Sequence, residues 1–409
     1  MPASGGRVTQ TFAALKFYNY RLWFIGQLVS LFGSWMQTTA QGFLVFQLTN
    51  SPVYLGLVGF AAGVPSWIFM LYGGVIADRL PRRTLLIITQ SAMMLMAFIL
   101  AALTFTGLVQ PWQIIVLAFG VGVANAFDAP ARQAFVLEMV DREHLSNAIA
   151  LNSMMFQMAT VTGPAVAGLI YAFVGPAWCF LINGISYIAV IVALLLMKLE
   201  PMAVKVRVKS SVEDLKEGLQ YVATHKIIRT LILIATVVSL FGLAFVTLMP
   251  AWAVDVLGGD AATNGLMQSA RGLGALIGAL MIASLGNFRH KGKLLTVGTL
   301  VFPLLLLLFA FVQWVPLSLL VLVGVGWGFM VLFNMLNTLV QNIVTDELRG
   351  RVMSIYTLTF FGGMPIGALW AGAAAEKFNE PITVIFGAMI SLAFALFVIW
   401  KIPQVRKLE

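Results

Sequence analysis

The chain has 409 residues, of which 60% are hydrophobic and only 10% are charged, and its mean hydropathy is +0.94. Soluble domains carry about 25% charged and about 45–50% apolar residues. The composition therefore excludes an ordinary soluble enzyme, a secreted disulfide scaffold and a disordered chain. The single cysteine, Cys179, excludes an intrachain disulfide and a cysteine-rich metal site. Together these features predict an integral membrane protein.

Apolar segments of spanning length follow one another along the chain. A transmembrane helix needs about 20 mostly apolar residues, because the hydrocarbon core is about 30 Å thick and each residue rises about 1.5 Å. The apolar runs are continuous rather than alternating, which predicts helices and not barrel strands. We expect no cleaved signal peptide at the amino terminus. The twelve predicted spans are Leu22–Phe46, Tyr54–Ile76, Thr84–Thr106, Trp112–Phe135, Ala148–Tyr171, Ala177–Met197, Thr230–Ala251, Asn264–Leu285, Leu294–Val312, Val315–Gln341, Val352–Ala375 and Ile382–Ile402.

The basic residues predict how these spans are oriented. All of the 25 Lys and Arg residues except Arg271 and Lys377 fall on one side of the predicted membrane. The positive-inside rule then places both termini in the cytoplasm, and we expect a multi-pass protein of the bacterial inner membrane. The net charge of +9 is a signal of topology, so we expect no nucleic-acid partner.

A charged stretch near the middle of the chain divides the spans into six and six. It covers residues 198–229 and contains VEDLKEGLQYV, which has the spacing of an amphipathic helix on a membrane surface. The two halves also resemble each other weakly, which is typical of transporter folds. We therefore predict an all-α membrane fold of two pseudo-symmetric six-helix bundles, residues 1–197 and 230–409, joined by a cytoplasmic linker of residues 198–229.

Polar stripes occur inside several spans, and the first span has the longest. Polar groups that face lipid cost free energy, so a stripe indicates either a water- or substrate-filled cavity or hydrogen bonds between packed helices. Three amides on one face of the first span favour the cavity. The first-span stripe consists of Trp23, Gln27, Ser30, Ser34, Gln37 and Gln41, spaced by four and three residues. The predicted cavity residues are Gln27, Ser34, Gln37, Gln41, Asn125, Gln157, Gln268, Arg271, Asn334 and Asn337.

The eighth span contains a basic residue, Arg271, about 10 Å from its start by the helical rise. An arginine at the centre of a span costs about 2.5–3.5 kcal/mol on insertion scales, so the side chain should face the protein interior with a partner. Arg271 shares a helix face with Asn264 and Gln268. Two interpretations stay open: an anion site, substrate site or gate, or an arginine that reaches the outer surface or pairs with Asp255 or Asp260.

The segment Gly74-Val-Ile-Ala-Asp78-Arg79-Leu-Pro-Arg82-Arg83 follows the second span and resembles motif A, G-x-x-x-D-R-x-G-R-[RK], of the major facilitator superfamily. It departs from the motif at Pro81, where the family usually has glycine. The resemblance implies a cytoplasmic latch that holds an outward-open state, with Asp78 at the start of the eleventh span and Arg82 paired to Asp128. The implied latch residues are Gly74, Asp78, Arg79, Arg82, Arg83, Asp128 and Arg132.

Four further stretches resemble the bacterial 12-helix exporter branch that contains the enterobactin exporter and macrolide efflux proteins. They are Phe17–Gln37, Leu48–Gly56, Phe127–Phe135 and Leu348–Ser354. Gly163, Pro164 and Gly168 resemble the antiporter motif of the fifth helix, and Pro365 breaks the eleventh helix at a matching position. The antiporter motif is incomplete, because Ala159 and Ala167 stand where the family has glycines. These resemblances imply export rather than uptake.

Proton coupling has weaker support from the residues. Drug–proton antiporters usually carry an arginine inside the fourth helix, where this chain has Val116 and Ala118. If protons drive transport, Asp128 is the best carrier, with Arg132 four residues on influencing its pKa.

The chain lacks the sequence signals of other classes of membrane protein. The chain has no motif of a membrane hydrolase and no P-loop, so we expect neither an enzyme nor an ATP-driven pump, and no cofactor or metal. The repeat and the latch disfavour a channel. We expect a monomeric secondary transporter that exports amphipathic molecules, such as a macrolide-like drug or a siderophore, by alternating access, with protons as the coupling ion and membrane lipids around it. The alternative is a flippase for lysophospholipids or other lipids.

Overall fold

A computed structural model describes residues 12–199, 211–286 and 288–408, without the side chains of residues 70–79 and 211–215. Within these ranges the regular secondary structure is entirely helical. Twelve long helices coincide with the twelve predicted spans and extend most of them by a few residues. They are α1 (Tyr18–Thr49), α2 (Pro52–Arg79), α3 (Arg82–Phe105), α4 (Pro111–Phe135), α5 (Leu145–Val174), α6 (Pro176–Leu196), α7 (Lys226–Val256), α8 (Ala261–Leu285), α9 (Lys291–Phe311), α10 (Val315–Ile343), α11 (Asp346–Phe378) and α12 (Glu380–Lys401).

Eleven of these helices are both long enough and apolar enough to cross a membrane. The other one, α1, has 32 residues and is therefore long enough. Its polar stripe lowers its hydropathy, and it is packed between α5 and α6 of its own half. The fold is thus the predicted all-α, twelve-helix membrane fold. We call the end of the bundle at which the described chain starts and stops the terminal face, and the opposite end the far face.

The helix α7 is irregular in its middle. It begins as an α-helix, passes through a π-helical turn at Val238–Gly242 and a 3-10 segment at Leu243–Leu248, and contains a second π-helical turn at Trp252–Val256. Pro250 lies between the last two segments, and proline has no N–H for a helical hydrogen bond. A broken helix inside a membrane is tolerated where protein covers it. The buried residues Trp252 and Phe245 show that α7 is covered here.

The buried apolar side chains form separate clusters in the two halves of the chain. The largest cluster uses only residues from Val222 onward, in α7 to α12 and the segments beside them. The others use residues of α1 to α6, joined at the far face by Ala251 and Ala261. This arrangement is what two six-helix bundles would produce.

The two halves meet closely along two helix pairs, α2 with α11 and α5 with α8. A Cβ atom added at Gly56 would lie 2.7 Å from the carbonyl oxygen of Ala368, and one added at Gly168 would lie 2.7 Å from that of Ala261. Glycine at these positions lets the backbones approach, as small residues do between membrane helices. Both contacts lie nearer the far face.

The predicted amphipathic helix of the linker exists and covers Ser211–Thr224. We call it the linker helix. Its Glu217 carboxylate lies 2.6 Å from the Arg351 guanidinium at the beginning of α11. Residues 200–210 of the predicted linker lie outside the described residues.

Candidate substrate cavity

A cavity of about 460 Å³ lies among α1 to α8. Its far end is bounded by Gln41, Leu55 and Pro250, and its other end, toward the terminal face, by Asp128 and Arg132. The close helix contacts described above lie beside its far end, so the cavity extends toward the terminal face. Its polar lining residues are Gln27, Ser30, Ser34, Gln37, Thr38, Gln41, Gln90, Asn125, Asp128, Arg132, Asn183, Tyr187, Thr247 and Gln268.

The stripe on α1 forms the longest polar wall of the cavity. Five of its six predicted members line the cavity: Gln27, Ser30, Ser34, Gln37 and Gln41. Trp23 does not, because it is 1% exposed and its ring packs edge-on against Phe135, with 5.5 Å between the ring centroids. The stripe therefore faces open space over four turns and packs into the core at its first residue.

Hydrogen bonds hold part of this wall in place. Asn183 on α6 donates from Nδ2 to Oε1 of Gln37 over 2.7 Å, and the Ser34 hydroxyl lies 3.3 Å from that of Tyr187. Both earlier interpretations thus apply to α1, since some stripe residues bond to neighbouring helices while also lining the cavity. Nε2 of Gln27 is buried with no partner among the described residues, and it is a donor that a bound molecule can use.

Among the described residues that line the cavity, Asp128 is the only acidic one, and it is 0% exposed. Its Oδ1 accepts hydrogen bonds from Thr89 Oγ1 at 2.8 Å and from Gln90 Nε2 at 2.9 Å. Its Oδ2 lies 3.6 Å from Nε of Arg132 and receives no hydrogen bond within the described part of the chain. Three polar groups therefore orient this carboxylate while one of its oxygens stays available.

The predicted pairing of Arg82 with Asp128 is corrected by the structure. Arg82 donates from Nη1 to Oε1 of Glu138 over 2.7 Å, ten residues beyond Asp128 in the turn that follows α4. Asp128 lies deeper, where Thr89 and Gln90 hydrogen-bond to it and Arg132 lies beside it. Arg83 donates to the carbonyl oxygen of Leu195 at the end of α6. The side chains of the remaining latch residues, Gly74, Asp78 and Arg79, lie outside the described ones.

Four predicted cavity residues do not line this cavity: Gln157, Arg271, Asn334 and Asn337. The Asn334 amide donates to the carbonyl oxygen of Met330 in its own helix, and Asn337 accepts a bond from Gln341. Local bonds on α10 thus satisfy these two amides. The described cavity therefore does not include the two predicted residues of α10 and is displaced toward α1 to α6.

Three of the four predicted helix-break residues, Pro164, Gly168 and Pro365, lie where the halves meet. The carbonyl oxygen of Pro164 on α5 packs against Gly265 of α8, and Gly168 packs against Ala261 and Ala262. Gly163 faces Trp35 of α1, where an added Cβ would lie 2.7 Å from the Cβ of Trp35. Pro365 on α11 packs directly against Gly63 of α2.

Sequence reasoning missed two pairs of polar side chains of the site. Thr89 and Gln90 on α3 hold Asp128, and Asn183 and Tyr187 on α6 extend the polar wall beside α1. Asn183 and Tyr187 are four residues apart, so the helical spacing that identified the α1 stripe could also have found them. Thr89 and Gln90 are adjacent in an otherwise apolar helix and have no such pattern.

Twelve membrane helices in two six-helix halves that are in contact, with a polar cavity among α1 to α8, define a transporter of the major facilitator type. The sequence model of the transmembrane secretion effectors, a family of this superfamily, matches residues 9–409. The chain belongs to this family. It is a multi-pass membrane transporter and not an enzyme.

Curated relatives cover almost the whole chain. The staphyloferrin A transporter of Staphylococcus aureus is 26% identical over 88% of this chain and 90% of its own length. Macrolide efflux protein A of Streptococcus pyogenes is 22% identical over 97% of this chain and 98% of its own. The predicted resemblance to bacterial macrolide efflux proteins is thereby confirmed.

Solved structures confirm the fold. The crystal structure of the nucleoside transporter NupG superimposes with a TM-score of 0.73, at 15% identity, over 94% of this chain and 98% of that one. At this identity the likeness concerns the fold alone.

Proposed function

We propose that the protein exports small amphipathic molecules from the cytoplasm across the bacterial inner membrane. The observation that carries the proposal is the cavity itself, in which a polar wall on α1 faces apolar side chains such as Met93, Val121 and Phe156. Ligand sites of this mixed character suit molecules that have both polar and apolar parts. The names of the relatives, a staphyloferrin transporter and a macrolide efflux protein, agree with cargo such as siderophores or macrolide-like drugs.

Alternating access is the transport mechanism that we propose. The two six-helix halves, residues 1–197 and 230–409, rock about the cavity while α2 with α11 and α5 with α8 act as sliding contacts. With both termini cytoplasmic, the arrangement described here has its cavity directed toward the cytoplasm. The latch around Arg82 and Glu138 forms part of the cytoplasmic contact in the opposite, outward-open state.

Asp128 is the proposed proton carrier. It is a buried carboxylate at the end of the cavity nearer the terminal face, and Thr89, Gln90 and Arg132 keep it oriented. One oxygen of Asp128 is free to take a proton. Protonation would weaken the attraction to Arg132 and so couple the charge of the site to its conformation.

A lipid flippase is the second candidate. An apolar groove of about 560 Å³ lies between α1, α5 and α6 and is lined by residues such as Val29, Met158 and Ile185. A groove of this character can accept an acyl chain from the bilayer. Lipid transport would depend little on the proton gradient.

The test measures accumulation of fluorescent amphipathic compounds in efflux-deficient bacteria that express the protein. The panel contains negative, neutral and positive members, and a protonophore arm runs beside it. We expect expression to lower the accumulation of at least one member, and the protonophore to restore it. Asp128→Asn should reduce this export about tenfold or more, whereas Asp141→Asn, which changes an exposed acid of the terminal face, should not.

Two outcomes would contradict parts of the proposal. No change in accumulation for any member would exclude the export of such compounds and favour the flippase, which labelled lysophospholipid would then test. Export that resists both the protonophore and Asp128→Asn would exclude the proton-coupled mechanism.

A further inference from the structure

Helix α8 presents two opposite faces. Its exposed face carries Leu266, Leu273 and Leu280, which are 45%, 41% and 61% exposed and suit contact with lipid. At 100° per residue, Asn264, Gln268 and Arg271 fall together on the other side of the helix. The polar face is therefore directed into the protein.

Close packing fixes the rotation of α8. A Cβ added at Gly272 would lie 2.9 Å from the carbonyl oxygen of Thr160 on α5, and one added at Gly278 would lie 3.1 Å from that of Trp327 on α10. With α5 on one side and α10 on the other, the helix cannot turn its polar face to lipid without losing these contacts.

The polar face begins at the cavity. Gln268 lines the cavity, and its Oε1 lies 3.5 Å from the Thr39 hydroxyl of α1. Arg271 lies about one turn, or roughly 4.5 Å of rise, farther toward the terminal face. A molecule in the cavity that reaches past Gln268 along α8 would meet Arg271 next.

Two nitrogen donors on this face lack acceptors among the described residues, whereas Nε2 of Gln268 donates to Oδ1 of Asn264 over 3.3 Å. Nδ2 of Asn264 and Nε of Arg271 are buried and receive no partner from residues 12–199, 211–286 and 288–408. Arg271 forms no ion pair with the acids described in those ranges. Asp260, one of the two partners considered from the sequence, instead accepts a hydrogen bond from the backbone N–H of Thr263 and caps α8.

Within the described part of the chain, Arg271 lacks the counter-charge that Arg132 has. Arg132 lines the cavity and is balanced by Asp128. A guanidinium inside the membrane without a counter-charge is costly, and arginine matches carboxylate and phosphate groups with two parallel hydrogen bonds. A transported anion would supply both the charge and the acceptors.

We propose that Arg271 binds an anionic group of the transported molecule, so that the cargo class is amphipathic acids. This inference rests on the proposed export function. It names a carboxylate, sulfonate or phosphate as the group recognised, whether that group belongs to a soluble molecule or to a lipid headgroup, and we assign it to a soluble cargo.

The test uses three fluorescent probes that share one apolar body: pyrenebutyrate, its methyl ester and pyrenebutyltrimethylammonium. Binding is measured with the full-length protein in phosphatidylcholine nanodiscs, with and without phosphatidylglycerol. We expect the acid to bind about tenfold or more tightly than the ester, and the cation to bind weakest. Arg271→Gln should abolish this preference, Arg271→Lys should retain part of it, and Arg289→Gln, at an exposed arginine after α8, should leave it unchanged.

Each outcome decides the inference. Equal binding of the acid and the ester by the unaltered protein would overturn it without reference to any variant. Competition by phosphatidylglycerol would overturn the assignment to a soluble cargo and give the site to a lipid headgroup. If cells export the neutral or cationic probe and Arg271→Gln does not change this, the proposed export stands and the anion site fails. If cells export neither these probes nor any member of the panel used in the export test, the export function itself fails.

Discussion

At the scale of single residues, buried hydrogen bonds decide which polar side chains of the cavity are rigid. Asn183 is 1% exposed and donates a hydrogen bond from Nδ2 to Gln37. This pair of amides links α6 to α1 beside the cavity. Gln27 has a buried donor without such a partner. The pair of Asn183 and Gln37 shapes the wall, whereas the side chain of Gln27 is available to cargo.

Replacing Gln37 with alanine should leave the amide of Asn183 without its acceptor. Because polar bonds between membrane helices contribute about 0.6–2 kcal/mol, we expect Gln37→Ala to lower the free energy of unfolding by about that amount. Unfolding of the purified protein in mixed micelles measures it. Gln157→Ala is the control, since this half-buried side chain has no hydrogen bond within the described part. Equal losses in both variants would contradict the role of the pair.

At the scale of helices, glycines place the two halves in contact. The pairs α2 with α11 and α5 with α8 approach so closely that a single methyl group would meet backbone atoms. The same helices carry Pro164 and Pro365, each packed against a glycine of the facing half. These contacts are formed by small side chains and include few polar side chains, which is what a sliding interface requires.

The close contact between α5 and α8 predicts the effect of adding one methyl group at Gly168. Gly168→Ala puts a Cβ atom 2.7 Å from the carbonyl oxygen of Ala261, so the helices must separate and closure of the far face becomes less favourable. We expect a lower melting temperature and a several-fold lower export rate.

The matched control for this change is Gly350→Ala in α11, where an added Cβ would meet nothing within 4 Å. Alanine is the better helix former by up to about 1 kcal/mol, so this variant should be neutral or slightly more stable. Shifts of the same sign and size in both variants would show that close approach at Gly168 is not needed.

At the scale of the whole molecule, the described arrangement has one closed and one accessible side. The glycine contacts between the halves lie toward the far face, while Asn125, Asp128 and Arg132 line the cavity toward the terminal face. If the termini are cytoplasmic, Asn125 should be reached from the cytoplasm.

Cysteine labelling tests this orientation. The native Cys179 is buried and is replaced by alanine in the background. A membrane-impermeant maleimide should label Asn125→Cys in inside-out vesicles and not in right-side-out vesicles. Leu108→Cys is the control, because Leu108 is 64% exposed in the far-face loop between α3 and α4 and should label from the opposite side. Labelling of both positions from the same side would contradict the orientation.

The sequence by itself determined the class of protein and the helices. Span length and continuous apolarity are local properties, because the bilayer demands about 20 apolar residues whatever the spans pack against. The spacing of Gln27, Ser34, Gln37 and Gln41 likewise identified one wall of the cavity, because residues that share a helix face need no tertiary information.

Only the tertiary structure decided which polar residues meet. Whether Arg82 bonds Asp128 or Glu138, and whether Asn334 faces a cavity or its own helix, depends on how helices distant in sequence are rotated and offset. Thr89 and Gln90 reach Asp128 across 39 and 38 residues of chain, and only the placed helices show that Nε of Arg271 has no partner among the described residues. Periodicity gives the face of a helix, whereas packing between helices decides what that face contacts.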